Sequence, residues 1–246
     1  IGDVNRDGWQ DIIVTNYSME TNTLYQNRGQ LLFDDVTQSV GIAEPSYKQV
    51  GWGVAFLDYD NDSALDLGVV NGHAIDNIEL FEASLSYRQP KQLFANDGTG
   101  RFREVTAQVG GTFATPRVGR GLAVGDWNSD GRLDLLVTNT NDRPELLENR
   151  LRESHHWLGL RLRGSRVNPF AIGARVTLTA GGLTLLREVR SGGSFLSQGD
   201  LRVHFGLGTQ TGPVQVEVRW PDGTMYRRTI TELDRYWDIA YGGEEK

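Results

Sequence analysis

The 246-residue chain contains no cysteine, which excludes disulfide staples and thiol chemistry alike. That is unusual for an animal extracellular protein and ordinary for a bacterial one. No apolar run approaches the roughly 20 residues that a membrane-spanning helix requires. No secretory leader is visible, although a chain that opens inside a repeated loop could not display one. Basic residues are in deficit, with 25 Lys and Arg against 32 Asp and Glu. A nucleic-acid partner would need concentrated positive charge, so none is expected. There is no Gly-x-Ser-x-Gly elbow and no phosphate-binding loop, and no residue stands out as catalytic or as a binder of an organic cofactor.

What the chain has instead is clustered negative charge. Residues 1–151 hold 22 acidic and 12 basic side chains, whereas the remainder holds 10 and 13. Ten of the 22 fall in three loops spelled Asp-x-[Asp/Asn]-x-Asp-x-x-x-Asp, beginning at Asp3, Asp58 and Asp126. Oxygen ligands on alternate residues of a tight loop suit a hard cation such as Ca²⁺. The first loop offers Asp3, Asn5, Asp7 and Asp11, with the carbonyl of Trp9 as a fifth oxygen. The second offers Asp58, Asp60, Asp62 and Asp66 with the carbonyl of Ala64, and the third Asp126, Asn128, Asp130 and Asp134 with that of Arg132. About three bound Ca²⁺ would bring residues 1–151 from a net charge of about −10 to about −4.

An EF-hand loop opens with the same letters but requires a bidentate Glu at position 12 and flanking helices. Position 12 here is Val14, Val69 and Val137, and the segments that follow each loop are short apolar runs suited to buried strands. Metal-free Asp/Asn/Gly turns are the plain alternative for one such loop. Three in register make that alternative weak. The second loop is the poorest match, because Ser63 stands where the others place Gly8 and Gly131.

The repetition extends beyond the loops. Gly51-Trp52-Gly53 upstream of the second loop matches Gly119-Arg120-Gly121 upstream of the third. Downstream, Leu24-Tyr25-Gln26-Asn27, Leu93-Phe94-Ala95-Asn96 and Leu146-Leu147-Glu148-Asn149 align, and turn signals follow the first two. A unit of strand, loop, strand and hairpin, repeated every ~55 to 70 residues, reads as a propeller blade. Residues 72–90 have no counterpart in the other units and read as an insertion, a common place for a binding face. From about His156 the texture changes to alternating strands at 157–162, 174–179, 185–190 and 214–220, a separate sandwich or small barrel.

These residues carry a resemblance. The blades resemble FG-GAP (VCBS-type) repeats, which are β-propeller units with calcium loops. The remainder resembles the ASPIC/UnbV domain through Ile172-Gly173-Ala174-Arg175-Val176, Arg187-Glu188-Val189-Arg190-Ser191-Gly192, Phe195-Leu196-Ser197-Gln198, His204-Phe205-Gly206-Leu207-Gly208 and 216–223. The resemblance implies an all-β chain: part of a propeller over residues 1–151, then a small β domain over 152–246. It also implies a calcium-binding protein that is secreted or exposed on the cell envelope or in the periplasm, many relatives being bacterial. Its propellers close with about seven blades. Three cannot close, so the chain is expected to be a fragment whose remaining blades lie elsewhere in a longer protein, or to assemble in trans.

The expected function is a secreted, calcium-stabilised module that engages an extracellular protein or glycan. The alternative is an enzyme acting on polysaccharide or in secondary metabolism, with its site on the propeller face near Asp76 and His73. His73 reads more readily as a surface-loop residue, His204 as a structural hydrogen-bonding residue, and His155-His156 as linker. Arg161, Arg163, Arg175, Arg187 and Arg190 read as the wet face of strands, with an anionic-partner surface as the lesser alternative.

Overall fold

A computed structural model describes residues 1–152 and 154–243. The first unit is an antiparallel meander of β1 (Ile12–Val14), β2 (Thr23–Asn27) and β3 (Phe33–Asp35). The second is a four-stranded sheet of β4 (Gly51–Leu57), β5 (Asp66–Asn71), β6 (Gln92–Asn96) and β7 (Phe102–Glu104), in that order. The third contains β8 (Gly119–Gly125), β9 (Asp134–Asn139) and β10 (Asp142–Leu147). The second and third acidic loops connect β4 to β5 and β8 to β9, while the first leads into β1. Short helices α1 (Ala43–Ser46) and α2 (Thr106–Val109) follow the first and second sheets. The fold is all-β, a partial propeller followed by a sandwich.

Blade-on-blade packing explains the composition of the strands. Strand β5 is buried along its whole length, as a strand covered on both faces must be. Val4, Ile13 and Leu24 of the first unit share a core with Leu67, Val69 and Phe94 of the second. Leu57, Val70 and Leu93 share another with Leu122, Leu135 and Val137 of the third. The matched glycines mark where backbones approach. A Cβ on Gly53 would lie 2.6 Å from Leu122 Cβ, and one on Gly72 2.6 Å from the Gly119 nitrogen.

The second and third blades are also joined by charge. Lys91 Nζ lies 3.0 Å from Glu145 Oε2, with both side chains nearly excluded from solvent at 2% and 9% exposure. Asn139 Nδ2 donates to the same Glu145 oxygen at 3.1 Å.

Residues 156–240 form two facing sheets around one core. β11 (His156–Arg163) lies between β14 (Val203–Gly208), to which it is antiparallel, and β17 (Arg235–Ala240), to which it is parallel. The facing sheet runs β13 (Leu183–Glu188), β12 (Arg175–Ala180), β15 (Val214–Arg219), β16 (Met225–Ile230). Alternation places Val176, Leu178, Val214, Val216 and Val218 against Leu158, Leu160 and Phe205. Strands β14, β16 and β17 were not among those read from the alternation. β14 is buried almost throughout, and β16 and β17 are rich in polar residues, so their sequences carry no clean apolar–polar alternation, although the burial of β16 does alternate.

Removing one partner of a buried ion pair strands the other charge. Lys91→Met is therefore expected to lower the unfolding free energy by about 3–5 kcal/mol, measured by urea denaturation. A loss under about 1 kcal/mol would show that Glu145 relaxes to solvent.

Candidate metal loops and the domain seated on them

Each acidic loop folds around its own carboxylates. In the first, Asp3 accepts the Asp7 and Gly8 amides at 3.1 and 2.9 Å, and Asp7 accepts the Trp9 amide at 2.8 Å. The third repeats this, with Asp126 accepting Asp130 and Gly131 at 3.0 and 2.7 Å and Asp130 accepting Arg132 at 3.0 Å. In the second, Asp58 accepts Ser63 at 2.9 Å and Asp62 accepts Ala64 at 2.7 Å. Two left-handed residues close each loop: Arg6 and Gly8, Asn61 and Ser63, Ser129 and Gly131. Ser63 adopts φ 80°, a conformation that costs a residue with a Cβ and that glycine takes freely in the other two loops.

The last carboxylate of each loop ties three segments together. Asp11 accepts the Val4 amide and the Asn27 amide, Asp66 those of Tyr59 and Asn96, and Asp134 those of Trp127 and Asn149, all at 2.8–3.1 Å. The repeated Asn then reaches onward. Asn96 Nδ2 donates to the Val4 carbonyl of the preceding loop at 2.8 Å, and Asn149 Nδ2 to the Tyr59 carbonyl at 2.6 Å. The Leu-x-x-Asn repeat was visible in the sequence, but its service to the neighbouring loop was not.

Among the described residues, three carboxylates converge only in the second loop, where oxygens of Asp58, Asp60 and Asp66 lie within 4.8 Å of one another. The loop that matches the pattern least well thus forms the tightest cluster, and Asp60, an Asn in the other loops, supplies the difference. Asp58 Oδ1 is buried without a hydrogen-bond partner. A lone buried carboxylate oxygen within a carboxylate cluster is the donor set that a hard cation satisfies. In the first and third loops Asn5 and Asn128 instead donate through Nδ2 to Asp7 and Asp130, at 2.8 and 2.9 Å. Arg132 folds its guanidinium onto Asp130.

Burial pushes these carboxyls upward. Asp58 rises to about 8, chiefly through desolvation and with relief from Arg187, and Asp66 rises to about 9, chiefly through desolvation. Asp11 rises to about 6 for the same reason, and Asp3, Asp60 and Asp134 shift in the same direction.

The sandwich sits directly on the second and third loops. The Gly208 amide donates to the Asn61 carbonyl at 2.8 Å, and a Cβ on Gly206 would lie 2.2 Å from Asp58 Oδ2. His204 Nε2 donates to the Gly131 carbonyl at 2.9 Å, and its ring stacks on Trp157. Burial lowers the His204 pKa to about 4 and keeps the imidazole neutral, consistent with a structural role. Tyr236 Oη donates to Asp126 Oδ2 at 2.8 Å. A cavity of about 220 Å³ remains between sandwich and blades, lined by Asp58, Arg187, His204 and Tyr236 among others.

The other residues read from the sequence find local partners. His73 is fully buried, in contrast to the surface-loop reading. Its Nδ1 accepts the Ile75 amide at 3.0 Å, and its Nε2 lies 3.3 Å from Ser18 Oγ. Glu79 and Glu82 accept the Tyr87 and Ser84 amides within the insertion. His155 and His156 turn to different partners, the Asp60 carbonyl and Asp234. Arg161 and Arg163 share Asp238, and Arg175 and Arg190 share Glu188, so these four cations are offset by two carboxylates and are split between the two sheets. Arg187 is not on an open wet face: it is half-buried, with Nη2 excluded from solvent and the guanidinium within electrostatic reach of Asp58 in the second loop.

A carboxyl with a raised native pKa favours the folded state most at low pH, and that advantage disappears as pH rises toward the native value. Without divalent cations, the melting temperature is expected to fall as pH rises from about 4 toward the values near 8 and 9 of Asp58 and Asp66. A melting temperature that is flat or rising between pH 5 and 8 in EGTA would refute the burial of these carboxylates.

The FG-GAP-like repeat model matches residues 3–69 and 78–137, and the ASPIC and UnbV model matches residues 164–246. The chain is 28% identical over 258 residues to cartilage acidic protein 1 of Xenopus tropicalis, and 28% identical over 253 residues to those of Mus musculus and Homo sapiens. All of the chain is covered in each case, and it spans about 37% of the length of the frog and mouse relatives. These relatives are vertebrate, so they lend no support to the bacterial source suggested by the missing cysteines. With its repeated loops and its sandwich matched by these two models, the chain belongs to the FG-GAP-repeat proteins that carry an ASPIC and UnbV domain.

Proposed function

We propose that the chain is a secreted, calcium-stabilised interaction module whose ions are structural. The convergence of Asp58, Asp60 and Asp66 around the unpartnered Asp58 Oδ1 carries this reading. Ca²⁺ supplies positive charge where the fold has buried carboxylates, and it fixes the curvature of the loops. In the second loop Asp58, Asp60, Asp62 and Asp66 would hold it with the Ala64 carbonyl. In the first, Asp3, Asn5, Asp7 and Asp11 would do so with the Trp9 carbonyl, and in the third Asp126, Asn128, Asp130 and Asp134 with that of Arg132. Millimolar calcium outside cells suits such sites.

An extracellular setting is supported by relatives named for cartilage, and among the described residues no helix is long and apolar enough to cross a membrane. For contact with a protein or glycan the surface offers exposed aromatic and apolar groups. Trp9 and Trp127 protrude from the first and third loops, and Leu80 and Phe81 from the insertion at 81% and 75% exposure. The first sheet exposes Val14, Tyr25 and Phe33, which suits packing against a further blade of a longer chain.

Calorimetric titration is expected to count about three Ca²⁺, with a large rise in melting temperature over EGTA. Asp7→Ala, Asp62→Ala and Asp130→Ala should each remove one ion and lower stability in calcium with little change in EGTA. Equal destabilisation in both buffers would contradict the metal assignment.

A further inference from the structure

The third loop receives a hydrogen bond that the other two lack. Asp3, Asp58 and Asp126 occupy the same loop position, and all three accept amides from their own loop. Among the described residues, only Asp126 accepts a further donor from the sandwich, the Tyr236 hydroxyl, from 110 residues away in the chain. Tyr236 is itself held in place. Its ring packs edge-on against Trp157 at 5.0 Å, covers Gly159, and lies beneath the Arg202 guanidinium at 4.1 Å. Arg202 in turn bonds the Asp126 carbonyl and Ser129 Oγ. Outer hydrogen bonds of this kind fix the orientation of a metal-ligating carboxylate.

The second loop receives the opposite treatment. Arg187 of the sandwich lies half-buried on the cavity wall that also holds Asp58, with Nη1 on the Leu186 carbonyl and Nη2 excluded from solvent and unpartnered. Asp58, Asp3 and Asp66 attract it, while Arg6 repels it. The missing side chain at Gly206 lets the sandwich backbone approach Asp58 Oδ2 closely. A guanidinium sharing a cavity wall with a buried carboxylate supplies part of the positive charge that an ion would bring, and it repels the ion across a poorly screened gap.

We propose that the sandwich tunes the two calcium loops it covers in opposite directions. Tyr236 is a positioning residue that strengthens ion binding in the third loop by holding Asp126. Arg187 is a resident cation that weakens ion binding in the second loop and stabilises that loop when no ion is bound. The inference rests on the calcium reading above. It makes the ASPIC and UnbV domain part of the metal chemistry of the repeats.

The test is calcium titration calorimetry on the whole chain, in single variants and in loop-deleted backgrounds. Tyr236→Phe keeps the ring and removes only the donor. It should weaken one Ca²⁺ by about 10–100-fold, leave the other affinities unchanged, and hardly alter melting in EGTA. The effect should vanish in the Asp130→Ala background and persist in Asp62→Ala. Arg187→Met should tighten a different ion by about tenfold or more and lower melting in EGTA, with the tightening lost in Asp62→Ala. Arg187→Lys, which keeps the charge, should retain an affinity near that of the unmodified chain.

Unchanged affinities in both Tyr236→Phe and Arg187→Met would overturn this inference and leave the calcium reading intact. Absence of calcium binding by the unmodified chain would overturn the calcium reading itself. If Arg187→Met failed to fold even in excess calcium, the role of Arg187 would fall, because a cation opposing the ion cannot be indispensable once the ion is bound.

Discussion

The structure depends on carboxylates buried inside tight loops and held there by backbone amides. Asp66 is the clearest instance, with one oxygen on the Tyr59 amide and the other on that of Asn96. This fastens the loop to the third strand of its blade, and Asn96 passes the connection back to the preceding loop through the Val4 carbonyl. The blades are thereby joined at their loop ends by polar contacts and along their faces by apolar cores. Such an arrangement puts carboxyl groups where water cannot reach them, so burial favours the proton-bearing form unless a positive charge stands nearby.

The sandwich meets these loops from outside the repeats. Its glycines at 206 and 208 let strand β14 come against the second loop, and His204 and Trp157 cover Gly131 of the third. The acidic loops are therefore also the seat of a second domain. A loop braced by its own carboxylates is rigid enough to carry a neighbouring sheet, and under the proposed reading ion occupancy and domain seating would act on the same few residues.

Much of this was legible in the sequence. The loop spelling, the Leu-x-x-Asn repeat, the insertion and the alternating strands at β11, β12 and β15 each appear in the structure where the pattern puts them. The loops differ in kind. Ser63 makes the second loop the poorest match to the pattern, while its additional carboxylate, Asp60, joins Asp58 and Asp66 in a three-carboxylate cluster. His73 looked like an exposed loop residue because it follows Asn71-Gly72 at the head of the insertion, but it is fully buried and Ser18 reaches it from the first unit.

The sequence by itself determined the units: which residues form loops, which strands have a dry face, and where one texture gives way to another. These follow from local periodicity and turn chemistry, which depend on neighbours in the chain. Only the tertiary structure decided that Arg187 would share a cavity wall with Asp58, and that Tyr236 would bond Asp126. Alternation along a strand says that a side chain is buried. What lies opposite is set by how two separately folded sheets meet, and no period in either segment records that.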